Sequence, residues 1–116
     1  MILSKKSCPI TAAAGVLLLA SFMSRPAHAD CLLPPPPSKI PDGASASQQE
    51  MVTAMMTLKQ YDGDVTVYLK CLEFESRQNR LPVILRDAKH DAAVAQLRDI
   101  ADRFNEQVRV FKSKHS

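Results

Sequence analysis

Three groups of side chains in this chain have the residue types and spacing for chemistry. Met51, Met55 and Met56 are the first. Thioethers are soft ligands that suit Cu(I), and Met51 and Met55 stand one helical turn apart. A site would need a third soft ligand, and methionines on an apolar face more often fill a core. His90 is the second candidate; with Asp87 and Asp91 it makes a D-x-x-H-D cluster. Imidazole and carboxylate at that spacing hold zinc when another element brings further ligands. Those would have to come from near Cys71, Glu73 and Glu75. The plainer reading is a partly exposed histidine beside carboxylates. Asp62-Gly63-Asp64 is the third. It resembles a fragment of a calcium loop but lacks the regular oxygen ligands and the closing glutamate. A kink or helix break explains it better.

Nothing else in the sequence points to catalysis. There is no nucleophile paired with a base and no glycine-rich phosphate loop. Two helices alone also lack the concave pocket of an enzyme. The expectation is a non-enzymatic protein without a cofactor.

Residues 1–29 have the features of a cleaved secretory signal peptide. Lys5 and Lys6 start it, Val16-Leu17-Leu18-Leu19 centres an apolar run from Ile10 to Met23, and Ala27-His28-Ala29 is an A-x-A cleavage site. The run is shorter than the roughly 20 residues a bilayer asks for, so no stable membrane insertion is expected after cleavage. Asp30 before Cys31 argues against a lipoprotein anchor. The formal charge of +3 comes from Lys5, Lys6 and Arg25. The remainder is balanced and carries no electrostatic footprint for nucleic acid. A periplasmic or secreted location follows.

Export changes the cysteine arithmetic. Cys8 leaves with the leader, and Cys31 and Cys71 remain, an even pair for which a disulfide is the default. Residues 30–46 form a proline-rich tether with Pro34 to Pro37, two anchoring leucines in Leu32 and Leu33, and a turn at Ile40-Pro41-Asp42-Gly43. Cys71 lies about 36 Å along a helix from Ser47 at ~1.5 Å per residue. The tether spans about 50 Å at ~3.1 Å per residue, so it reaches Cys71 with slack. A bridge between two chains is the alternative. A proline run also suits an SH3-like groove, a role that a tethered run serves poorly.

Residues 47–116 carry two helical patterns. Met51, Met55, Leu58, Val65, Leu69 and Leu72 make one face of a helix over 47–78, with Asp62 standing where an apolar residue is expected. Ala54, Tyr61 and Tyr68 widen the stripe. Ser47 and Glu50 fit a capping box. Gly63 is its weak point, and a short strand after it is the rival reading. The second helix spans 82–112, with Pro82 in its first turn. His90, Val94, Leu97, Ala101, Phe104, Val108 and Phe111 form a heptad seam flanked by Ala93 and Ile100. The fold expected is all-α: an antiparallel two-helix hairpin with the extended proline-rich segment packed on helix 1. Apolar surface left over would be met by a homodimer or another protein partner.

Cys31, Ile40 to Gly43, Glu50-Met51, Tyr68-Leu69, Cys71-Leu72-Glu73 and Ala101 to Gln107 together resemble a family of small exported proteobacterial proteins. That family joins a signal peptide, a cysteine, a proline-rich segment with an IPDG turn and two helices. The resemblance implies export and a helical fold, and no catalytic residue. The function expected is an interaction or structural module of the bacterial envelope. The alternatives are a periplasmic Cu or Zn binder using Met51, Met55 or His90, and, more weakly, a chaperone-like binder.

Overall fold

A computed structural model describes residues 30–116; the expected signal peptide, residues 1–29, lies outside the described residues. Two helices, α1 (Gln48–Arg77) and α2 (Val83–His115), make up most of it, and no strand occurs among the described residues. The capping box starts α1: the Glu50 amide donates to Ser47 Oγ, and the Ser47 amide donates to Glu50 Oε2 at 2.7 Å. The Ser47 amide, and after it the Ser47 hydroxyl, hold the Glu50 carboxyl below its usual pKa. The helix then runs through Gly63 without a break, so the strand reading falls. The backbone bonds of the surrounding turns outweigh the roughly 1 kcal/mol that one glycine costs.

A hydrogen-bonded reversal ends α1. Asn79 takes a left-handed conformation at φ 56°. Its amide donates to the Ser76 carbonyl at 3.0 Å, and the Arg80 amide donates to the Glu75 carbonyl at 3.0 Å. This is the Schellman pattern, with asparagine in the position glycine usually takes. The apolar contact that often accompanies it is replaced by an ion pair: the Arg80 guanidinium grips Glu75 at 2.6 and 2.8 Å. Glu75 is buried, the Arg80 side chain is one-third exposed, and Phe74 lies under the guanidinium. Pro82 stands just before α2 and not in its first turn; its carbonyl accepts from Leu85 and Arg86. The second helix begins one residue later than expected and ends three residues later.

Both inner faces are heptad rows, each displaced from the row legible in sequence. On α1 the row is Met51, Ala54, Leu58, Tyr61, Val65, Tyr68, Leu72 and Glu75, all buried or half-buried. The steps alternate three and four, the spacing of a left-handed helix pair. Tyr61 fills the gap assigned to Asp62, so the tyrosines are the core and not its margin. On α2 the row is Ala93, Leu97, Ile100, Phe104, Gln107 and Phe111. Ala93 and Ile100 are buried, whereas Val94, Ala101 and Val108 are half-buried.

The tether is fastened at both ends. Cys31 and Cys71 form a disulfide with Cα atoms 5.7 Å apart. Between the ends, half-burial recurs at Cys31, Pro34, Pro37 and Ile40, every third residue. That is the period of a polyproline helix lying along a surface. Leu32 and Leu33 fall off this period and are exposed, Leu32 by 82%, so they are not anchors. Cys31 and Ile40 pack against the core instead.

The far end docks on α2, so the tether touches both helices. Asp42 organises the turn: its carbonyl accepts from the Ser45 and Ala46 amides, and its Oδ1 accepts from the Ala44 amide at 2.9 Å. Gly43 is buried there, and its amide donates to Gln107 Oε1 at 2.9 Å. A Cβ on Gly43 would fall 2.0 Å from the Gln107 carbonyl oxygen. The glycine is needed for this close approach, not for an unusual φ.

Candidate functional site

Of the chemistry-bearing residues of the sequence, Glu73, Asp87, His90 and Asp91 line one open hollow between the helices, and the others lie apart. Met51 is 6% exposed and belongs to the core, whereas Met55 is 40% exposed and points outward with Met56. His90 is exposed and pairs only with its neighbour, Nδ1 standing 3.2 Å from Asp91 Oδ1. Asp87 is held by Arg86 at 2.7 Å. Glu73 pairs with Arg77, which pulls its pKa below the usual value, and Glu75 pairs with Arg80. Cys71 is spent in the disulfide. Asp62 and Asp64 lie within α1, where the Gln60 amide donates to Asp64 Oδ1. Among the described residues, no three His, Cys, Asp or Glu side chains gather as a metal would need.

What the hairpin does offer is apolar surface of two kinds. On one side the tether roofs a cavity of about 270 Å³ lined by Pro37, Ile40, Ala54, Leu58, Ile100 and Phe104. Glu50 stands at its edge, but that carboxylate is committed to the helix cap. On the other side, a long open groove runs between the helices. Met55 and Leu58 of α1 and Val94, Leu97, Ala101, Phe104 and Val108 of α2 form its walls. Lys59, Asp62, Arg98 and Asn105 stand along it. The two hollows share only Leu58 and Phe104, which form the partition between them.

The groove has a simple origin in sequence. The row from Val94 to Val108 is the one expected to face α1. The helix is rotated so that Ala93 and Ile100 point inward, which leaves the expected row on the flank. Leu97 and Phe104 belong to both rows and tie the flank to the core. A second apolar patch, Phe74 with Val83, Ile84 and Leu85, is exposed at the hairpin tip. The charges around it are paired at Arg77–Glu73, Arg80–Glu75 and Arg86–Asp87.

No protein-family profile, curated protein or solved structure matches the chain. The family resemblance therefore rests on its own motifs, and function is argued from the groove. No described helix is long and apolar enough to cross a membrane.

Proposed function

We propose that this chain is an exported, non-enzymatic helical module of the bacterial envelope that acts through protein contacts made by the α1–α2 groove. One observation carries the reading. A domain this small has little apolar side-chain surface to spare, yet seven apolar residues line a continuous open channel between its helices. An apolar groove edged by polar residues is a surface that an amphipathic helix can fill. The charged stretch from Arg86 to Glu106 holds ion pairs at Arg86–Asp87 and Arg103–Asp99. Exposed pairs of that kind contribute little. The disulfide agrees with an oxidising compartment.

The test is photo-cross-linking in the envelope. A photoreactive residue at Met55 or Val94 is expected to give a discrete adduct, and one at Arg103 none. Equal labelling from all three positions, or none from the groove, defeats the proposal. The same preparation, analysed by mass, is expected to give a chain beginning at Asp30 and lighter by two hydrogens. A stoichiometric copper or zinc adduct there would instead favour the metal-binding alternative.

A further inference from the structure

We infer that the groove is occupied by a second copy of this chain, packed across a two-fold axis near Ala101 to give a four-helix bundle. This rests on the reading of the groove as a contact surface and names its occupant. The first argument is continuity. Val94, Leu97, Ala101, Phe104 and Val108 repeat at steps of three and four, the spacing that receives another helix in a left-handed bundle. Leu97 and Phe104 already serve the α1–α2 contact, so a third helix would extend an existing seam.

The second argument is self-complementarity. An isologous contact puts the same patch on both sides, and a residue on the axis meets its own copy. It must therefore be small and uncharged. Ala101 satisfies this, and the row is nearly palindromic about it. An antiparallel copy centred there brings Val94 opposite Val108 and Leu97 within one residue step of Phe104, larger side chains filling the space on either side of the small one.

The third argument is charge. The groove carries cations at Lys59 and Arg98 and an anion at Asp62. A partner of one sign would leave part of that set unmatched. About the same axis Arg98 falls opposite Phe104 and one residue step from Asn105, whose amide oxygen accepts, and not near its own copy. Like charges are thus kept apart where the two chains would meet, as specific helix pairing requires.

The test is a concentration series by sedimentation velocity on the oxidised chain from Asp30, without reductant. The expected result is a mass twice that of one chain, with a single-chain band on a non-reducing denaturing gel. Ala101→Arg should weaken self-association about a hundredfold, the scale of a central interface residue, while the far-UV helical signal stays. Ala101→Cys gives an answer independent of that variant's folding. A cysteine on the axis should cross-link to its copy many times faster than Val67→Cys, on the outer face of α1. A chain that stays monomeric throughout, or equal cross-linking from both cysteines, overturns the second-copy assignment. Envelope cross-linking separates the two proposals: a groove adduct with a different protein sinks the dimer and keeps the contact surface, whereas no adduct sinks both.

Discussion

The two sides of the hairpin are built from the same helices and the same kind of residues, yet only one side is strapped by the tether. On the roofed side, every third residue of the tether from Cys31 to Ile40 rests on the protein, and both tether ends are fixed. On the open side, a comparable apolar row has no cover. A two-helix hairpin buries one stripe per helix, and these helices carry more than one. The chain covers the first surplus with its own N-terminal segment and a covalent bond. The difference teaches that covering one side within the chain frees the other for contacts between chains.

The largest break in that comparison is removal of the bridge. The disulfide joins residues 40 positions apart. Closing a loop of that size stabilises by about 4 kcal/mol on a chain-entropy account. The double substitution Cys31→Ser, Cys71→Ser should lower the unfolding free energy by about that amount in urea titration. It should also make the strapped face as accessible to apolar dyes as the open one. A loss under about 1 kcal/mol would mean that the tether does not close this side and that the contrast is false.

Next comes the other end of the tether. Gly43→Ala places a methyl against the Gln107 carbonyl and the Phe111 amide. Both are helix backbone and cannot step aside, so the turn must lift. The expected cost is about 2–3 kcal/mol, the scale of overpacking a tight contact. Hydrogen exchange should show the Ala44 to Ala46 amides losing protection while the middle of α1 keeps its own. Unchanged stability would show that Gly43 does not hold the strap down.

Helix count, the Ser47 cap, the cysteine pair and the reach of the tether were legible because each rests on local chemistry or on length. The rotation of the helices was not. A row that counts leucines, valines and methionines passes through Asp62, and only tyrosines in the core move it to Tyr61. On α2, Ala93 and Ile100 outcompete Val94 and Ala101 for the inward position because α1 and the tether press on that face together. Such a choice is made by packing between elements, and no periodicity within one helix contains it. The tether's anchors were misread for a related reason. Leu32 and Leu33 are the more apolar residues, but a threefold period turns Cys31 and Pro34 inward instead. The groove was therefore legible as a row of residues and not as a surface.

A smaller effect tests the core beneath the partition. The Tyr61 hydroxyl is buried and has no hydrogen-bond partner among the described residues. Burial pushes its pKa above the ordinary tyrosine value. The folded chain thus holds that proton more tightly than the unfolded chain does. Stability from this source is full below the unfolded pKa of about 10 and is lost as pH rises above it. Tyr61→Phe should gain about 1 kcal/mol at neutral pH by removing an unsatisfied polar group. It should also flatten the fall in stability at alkaline pH. A variant less stable than the parent would show that the hydroxyl is satisfied, for instance by water reaching it from one side of the hairpin.

The smallest effect sharpens the comparison because it should touch neither side. Gly63 lies in mid-helix with nothing within 4 Å of where a Cβ would sit. It is exposed on α1, one helical turn from Lys59 at the groove's edge. Gly63→Ala should therefore add roughly 0.5–1 kcal/mol by restricting the unfolded chain and favouring the helix. It should leave both the strap's protection and the oligomeric state as they are. If the alanine instead loosens self-association, the contact between chains extends around α1 past the groove and the two-sided description is too simple. If it destabilises the monomer, α1 bends at Gly63 in solution, and the Tyr61 to Leu72 half of the helix is positioned by that bend rather than by the heptad row.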